Sequence, residues 1–576
     1  MINTICRIPK FLGIFLLTFL IYIPFSRLGV DPHHDGIMLI PALVVARGGV
    51  IHRDAYSLYG PITAYFQAPF VWLFGPHLLS IRIASVTYLS LAIALLQRSW
   101  SRVYGEGVGL LAYVLAISST YFFIENSGMH PWSSDLMLLL QSLTLYLLVV
   151  AHSLQKRWNY LSIYLSGFIL GMQFANRYVS ALLMLVGLSI FFLFYQRSSL
   201  RYLMQGVVSS VGLLLSLLVI TGSYGDWYFQ SIYVARHWVS DISGSGGWAA
   251  IRAAVASKAL PGAAVLLVII FGFKAISSRA VSLTHMQRAL VALYVSLLLL
   301  VTSPRFTVSY WSTSNVLWTC AGLLLVAAPW YYWRLIADSS GSITSEVILF
   351  IGAVAASAAI FPITDIRHLY WGLLPAIGPG LMFLKAHIKP QRSQLILAAL
   401  SVLLIVPSTL GSIAVTLDAD RISVPNTPVL KGMLMDRQYS GFFIDRFAMV
   451  NDFLTIRPNT PILNICTDGL FAALSPALKF ADPFFISWTF ERDFFSLNTP
   501  EGRKRFEFVK NERPIVWMCP MSEDPQLIAE RYNLRLIPAS PNVDTDPPFN
   551  WWPYVSYLGV PKEWPQIDLE LSQPRK

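Results

Sequence analysis

Apolar runs of about 17–25 residues recur along the first 413 positions, each long enough to cross a hydrocarbon core of about 30 Å as a helix. The first is Phe11–Val30, preceded by Arg7 and Lys10; no small-residue cleavage site follows it, so it reads as an uncleaved anchor. Further runs fall near 79–97, 107–124, 134–151, 160–175, 178–195, 204–222, 261–277, 289–303, 314–332, 346–362, 371–386 and 393–413. The stretch 160–195 has to be two spans, since about 35 helical residues would reach ~52 Å. The pattern predicts an α-helical polytopic membrane protein of about thirteen transmembrane helices.

The polar connections between these runs sort into two sets. One holds Arg98 and Arg102, Lys156 and Arg157, Arg197 and Arg201, Lys274, Arg279 and Arg288, Arg334, and Lys385, Lys389 and Arg392. Basic residues gather on cytoplasmic loops, so this set is expected inside, with the N-terminus. The other set is expected on the outer face: 31–78, Glu125 to Asp135, Asn176-Arg177, 223–260, Arg305, and Asp365-Ile366-Arg367-His368. The 223–260 connection is long and rich in aromatics, Gly and Ser, which suits a lid over a substrate and an interfacial aromatic belt equally.

Near Val415 the pattern changes. Charges and prolines rise and the apolar runs shorten to strand length, as in Pro461-Ile462-Leu463-Asn464-Ile465 and Pro514-Ile515-Val516-Trp517-Met518. Asp468 to Leu478 is expected to be helical. The reading is a membrane domain over 1–413 and a small α/β extracytoplasmic domain over 414–576. Its tail, with Trp551-Trp552-Pro553 and Trp564-Pro565, is aromatic and Pro-rich.

Composition narrows the class. The 576-residue chain is 55% hydrophobic and only 13% charged, with a mean hydropathy of +0.57, whereas soluble domains average about 25% charged residues. The net charge of +11 suits loops in contact with membrane lipids; no basic stripe on a soluble domain marks a nucleic-acid surface. The four cysteines show no metal-binding spacing. Cys466 and Cys519 could pair in an oxidising compartment, or stay as free thiols.

Candidate chemistry concentrates in the first outer loop, Asp31-Pro32-His33-His34-Asp35-Gly36, followed by His52-Arg53-Asp54 and Tyr59-Gly60-Pro61. Carboxylates at a membrane boundary face water or line a cavity. Asp31 and Asp35 could cap short interfacial helices, Asp35 ahead of the Gly36–Arg47 run in particular. Either could instead act as a general base that takes a proton from an acceptor hydroxyl. Asp31, His33, His34 and Asp35 also offer oxygen and nitrogen ligands suited to a divalent ion, with Asp31, His34 and Asp35 the leading metal set. Ile62–Phe74 is too short to span, is broken by Pro69 and is expected to be interfacial or re-entrant. On the same face Arg367, His368, Arg305 and Arg177 are candidates for holding a phosphate, because the planar guanidinium matches phosphate oxygens. Asp365 and Arg367 also suit a plain helix cap and a snorkelling side chain.

A polytopic chain with acidic residues directly after its first span resembles the GT-C glycosyltransferases, which include protein O-mannosyltransferases, the aminoarabinose transferase of lipid A and bacterial lipopolysaccharide-core relatives. The similarity is carried by His34-Asp35-Gly36, Gly48, Asp54 and Tyr59-Gly60-Pro61, and by Phe361-Pro362, Asp365 and His368-Leu369. The resemblance implies a polyprenyl-phosphate-linked sugar donor, inversion at the anomeric carbon, and an acceptor hydroxyl on a glycan, lipid or protein. It places the base at Asp35, with Asp31 second. His33-His34 stand where the family more often has a second acidic residue. The implied setting is a bacterial inner membrane with the active site and C-terminal domain outside.

Two other classes fit a polytopic chain. A transporter or flippase of lipid-linked sugar would show internal repeats and helices broken at mid-membrane; here no repeat is found and the polar residues collect on one face. An O-antigen ligase or polymerase would share the outer Arg and His residues but needs no acidic loop after the first span.

Overall fold

The computed structural model describes residues 7–57, 59–124, 129–151, 156–234, 344–360, 366–387, 420–424, 428–465, 469–475, 500–518, 524–539 and 556–564, with isolated positions between 236 and 331 and between 410 and 417. The expected spans at 261–277, 289–303 and 393–413, most of that at 314–332, and Cys466, Cys519, Arg305 and Asp365 lie outside the described residues.

Helix α1 (Arg7–Tyr22) runs into a 3-10 turn over Ile23–Arg27. Two short helices follow within the polar segment after the first span: α2 (Pro32–Ala46) and α3 (Ile62–Phe74), so the apolar run from Gly36 is helical as far as Ala46. The membrane part continues with α4 (Leu78–Tyr104), α5 (Glu106–Ser118), α6 (Ser133–Ala151), α7 (Lys156–Phe174), α8 (Tyr178–Tyr195) and α9 (Arg197–Ile220). Five helical stretches are long and apolar enough to cross a membrane among the described residues: Lys10–Arg27, α4, α6, α8 and α9. The expected span 107–124 is instead broken at Ser119-Thr120, after which a single turn covers Tyr121–Ile124. Ser119 Oγ donates back to Leu115 O, closing α5 with side-chain chemistry that competes with helix continuation.

Later, α10 (Thr344–Ala356) ends in a 3-10 turn, Ser357–Ile360, and α11 (Ile366–Leu373) and α12 (Ile377–His387) flank a 3-10 turn containing Pro375. Proline lacks the N–H needed to continue an α-helix, so the expected span 371–386 is interrupted near its start.

Helices α7 and α9 meet through small residues. Gly167 and Gly171, four apart, face Leu203, Val207 and Ser210, and Gly206 approaches the Tyr164 carbonyl so closely that no Cβ would fit. Small residues at such spacing let helix backbones approach within a bilayer, where apolar burial adds no drive to association.

The C-terminal region is α/β. Strands β1 (Arg421–Ser423) and β2 (Leu434–Asp436) form an antiparallel pair, followed by α13 (Arg437–Ile456). A four-stranded sheet then has the order β3-β4-β6-β5, with β3 (Ile462–Ile465), β4 (Ile515–Met518), β5 (Leu534–Ala539) and β6 (Ser556–Pro561). The two apolar runs read as strands are the parallel pair β3 and β4, in register Ile462 with Ile515. Helices α14 (Pro500–Glu512) and α15 (Pro525–Arg531) lie in this part of the chain. Gly469–Leu474 is a 3-10 helix, shorter than the expected 468–478 helix.

The C-terminal region and the segment after the first span share one core. Met38, Leu39, Ile40 and Leu43 of α2 pack with Met433, Phe447, Phe471 and Trp517. Gly36 meets the Gly469-Leu470 backbone at a distance that leaves no room for a Cβ. Two hydrogen bonds fasten the end of the first span to the same region: Gly29 N–H to Leu434 O (2.8 Å) and Arg27 Nε to Gly432 O (2.9 Å).

Candidate active site

The start of α2 sets the site. Pro32 takes the first helical position, where a missing N–H costs nothing, and Asp31 precedes it. Asp31 Oδ1 accepts from the His34 backbone N–H at 3.1 Å, the bond of an N-cap residue. The capping role considered for Asp35 thus belongs to Asp31, and Asp35 sits inside the first turn. The remaining Asp31 oxygen, Oδ2, is 2.6 Å from His34 Nδ1, a carboxylate–imidazole pair with the ring partly exposed.

Asp35 is fully buried. Its Oδ2 accepts from Arg82 Nη2 at 2.7 Å and from the Asp31 backbone N–H at 2.8 Å, while Oδ1 has no hydrogen-bond partner among the described residues. Burial pushes this carboxyl above its ordinary value, with Arg82 pulling the other way and Asp31 adding to the rise.

The connection between α5 and α6 brings His130, Trp132 and Asp135 against this helix start. His34 lies 4.9 Å from Trp132 and 6.0 Å from His130, ring centre to ring centre. His130 is buried, with neither ring nitrogen hydrogen-bonded among the described residues, and burial drives its basicity well down, reinforced by Arg367. Arg367 of α11 therefore reaches the same cluster. Trp132 continues to Tyr59 (6.0 Å) and to Trp371 (6.1 Å), and His368 is 5.5 Å from Trp371. Trp371 Nε1 donates to the buried Asp135.

The connection between α7 and α8 joins through Asn176-Arg177. Asn176 Oδ1 accepts from Thr63 Oγ1 (2.7 Å), and Gly60 approaches the Ala175 carbonyl where no Cβ would fit. The glycine of Tyr59-Gly60-Pro61 lets this turn close onto 175–176. Arg177 stacks over the Tyr59 ring at 5.1 Å, and its Nε donates to Ser133 Oγ.

Expected residues that the structure brings together are therefore Asp31, His34, Asp35, Tyr59, Arg177, Arg367 and His368. Asp54 instead anchors its own turn, accepting from the Val50 N–H (2.8 Å) and the Arg53 guanidinium (2.8 Å). The His33 side chain, like Arg305 and Asp365, lies outside the described residues. The segment after α9 is a short helical turn and a π-helix, Tyr228–Val234, whose Gln230 clamps the first outer segment: Oε1 accepts from His52 Nδ1 and the Ser57 N–H, and Nε2 donates to His52 O. The rest of 223–260 lies almost wholly outside the described residues.

Asp31 Oδ2 holds His34 Nδ1 and Asp35 Oδ2 holds Arg82, and among the described residues no three His, Cys, Asp or Glu side chains are grouped to hold an ion. Sequence reading passed over Arg82, His130, Trp132 and Trp371. Arg82 carried a usable signal, a lone charge inside the apolar run 79–97.

Residues 59–223 match the sequence model of the family described as dolichyl-phosphate-mannose-protein mannosyltransferase. No curated protein matches the sequence. Among solved structures, the chain is similar to ArnT from Cupriavidus metallidurans in the apo state, with 14% identity over 96% of this chain and 98% of that one and a TM-score of 0.41. ArnT bound to undecaprenyl phosphate gives 13% identity, 99% of each chain and 0.40. The apo oligosaccharyltransferase of Archaeoglobus fulgidus gives 13% identity over 88% of this chain and 69% of that one, with 0.46. Likenesses at these scores bear on neither site nor substrate. The family match runs from the Tyr59 turn to the end of α9, through Arg82, His130, Asp135 and Arg177, and over that segment the chain is similar to this mannosyltransferase family.

Proposed function

We propose that the protein transfers a sugar from a polyprenyl-phosphate donor to an acceptor hydroxyl on the outer face of a bacterial inner membrane, with inversion, and that Asp35 is the general base. The acceptor oxygen bonds to the anomeric carbon as its proton passes to Asp35 Oδ1. The bond from that carbon to the phosphate oxygen breaks, and its electron pair leaves with the polyprenyl phosphate. Arg367 and His368, with Arg177 and Arg305 behind them, hold the departing phosphate, where fixed cations stabilise developing charge. The membrane domain over 1–413 supplies these groups, and the region 414–576 covers the base from outside.

One observation carries the reading: Asp35 is held through one carboxylate oxygen while the other has no hydrogen-bond partner among the described residues, in a buried cluster built from several inter-helix connections. A base must be oriented and must keep a lone pair for the incoming proton. Both Asp31 oxygens, by contrast, are engaged by His34.

The test is transfer by Asp35→Asn and Asp31→Asn in membranes, with a matched polyprenyl-phosphate sugar. Asp35→Asn is expected to lose turnover at least about a hundredfold, within the range of general-base catalysis, while inserting normally. Retained turnover in that variant with loss in Asp31→Asn would move the base to Asp31. Retained turnover in both would end the general-base reading.

A further inference from the structure

Arg82 lies within α4, a helix long and apolar enough to span the membrane, and its side chain is wholly buried. A buried cation there is costly, and an ion pair rarely repays the cost as stability alone, since a well-packed apolar pair often does as well. What the guanidinium holds is therefore informative. Nη1 donates to Leu28 O at 2.8 Å and Ser26 O at 3.4 Å, both at the end of the first span. Nη2 donates to Asp35 Oδ2 at 2.7 Å.

We propose that Arg82 is the positioning residue of the catalytic carboxylate: it pins Oδ2 to the end of the first span, so that Oδ1 alone is presented to the acceptor hydroxyl. This rests on Asp35 being the base. The planar guanidinium spans two fixed carbonyls and one carboxylate oxygen, a geometry an ammonium cannot copy. The Asp31 N–H occupies the other side of Oδ2, which completes the anchoring.

The pair also shapes proton release. Burial favours the protonated carboxyl, and the neighbouring cation opposes it. After transfer Oδ1 carries the proton and the carboxyl is neutral. Arg82 keeps its carbonyl acceptors but loses its counter-charge, which favours passing the proton on and restoring the base.

The experiment compares Arg82→Lys and Arg82→Met with wild type in detergent or nanodiscs, measuring kcat, KM for the polyprenyl-phosphate sugar and melting temperature. A positioning role predicts kcat lower by at least about tenfold in Arg82→Met with the donor KM within about twofold. Arg82→Lys should recover part of kcat through its charge and not all of it. Arg82→Met with wild-type kcat overturns the proposal, as does a lowered melting temperature with unchanged kcat per folded molecule. Should Arg82→Met fail to fold, Arg82→Lys decides: lower kcat at unchanged KM supports positioning, and unchanged kcat overturns it. Asp35→Asn assayed alongside separates the two readings, since an active Asp35→Asn removes the base itself, whereas an inactive one beside a fully active Arg82→Met removes only the role of Arg82.

Discussion

Trp371 Nε1 donates a hydrogen bond to Asp135 Oδ1 at 2.9 Å, joining groups 236 residues apart in the chain. Both side chains are buried, and Asp135 Oδ2 has no hydrogen-bond partner among the described residues. Removing the indole donor would leave the carboxylate still less satisfied. Trp371→Phe is therefore expected to cost about 1–3 kcal/mol and to lower the melting temperature. Because Trp371 also packs near Trp132 and His368, transfer activity should fall with it; a variant with unchanged melting and activity would show the bond to be incidental.

The rate should depend on the ionisation of Asp35. A base works in its charged form, and burial raises this carboxyl above the ordinary 3.8. The acid limb of kcat/KM against pH is then expected above that value, with activity rising as the group deprotonates. A profile flat down to pH 4 would argue against Asp35 as the titrating base.

His52 gives a second pH dependence, this time in stability. It sits in a left-handed backbone conformation (φ 69°), buried, with Nδ1 on Gln230, and burial lowers its pKa from 6.5 to about 4. The unfolded or opened form takes up a proton before the folded one does. Stability is thus complete above about pH 6.5 and is lost as pH falls toward 4, by up to roughly 3 kcal/mol. Protection of the 50–57 amides, taken relative to the intrinsic exchange rate at each pH, should fall between pH 7 and pH 5. His52→Asn, which tolerates the backbone conformation, should abolish that loss of protection.

Gly36→Ala places a methyl in collision with the Leu470 backbone N. Main chain cannot step aside as a flexible side chain can, so α2 has to shift. The expected cost is about 1–3 kcal/mol, together with a loss of transfer, because Asp35 is the adjacent residue. Thermal melting and a turnover assay on the same preparation check both effects.

Much of this architecture is legible in one dimension because its signals are local. Run length marks α4, α6 and α8, and Pro461 and Pro514 ahead of short apolar runs mark the two parallel strands. The positions of Arg177 and Arg367 follow from alternating the loops across the membrane. Arg82 was hidden because its meaning depends on a carboxylate 47 residues earlier, across two helices. His130 was hidden likewise, since its burial comes from three other segments. The choice between Asp31 and Asp35 as helix cap turned on Pro32, whose fixed φ starts the helix one turn earlier than the apolar run suggests. The break at Ser119-Thr120 escaped notice because hydropathy measures how greasy a stretch is and not whether its hydroxyls close a helix.

The shared core of α2 with Met433, Phe447, Phe471 and Trp517 has a consequence for engineering. A C-terminal region that merely sat beside the membrane part could be exchanged between homologues as a module. Here the segment that carries Asp35 buries its apolar face against that region and leaves no gap at Gly36. A chimaera with a foreign C-terminal region would expose α2 and misplace its first turn, so recombination has to carry residues 31–46 and 420–564 as one inheritance.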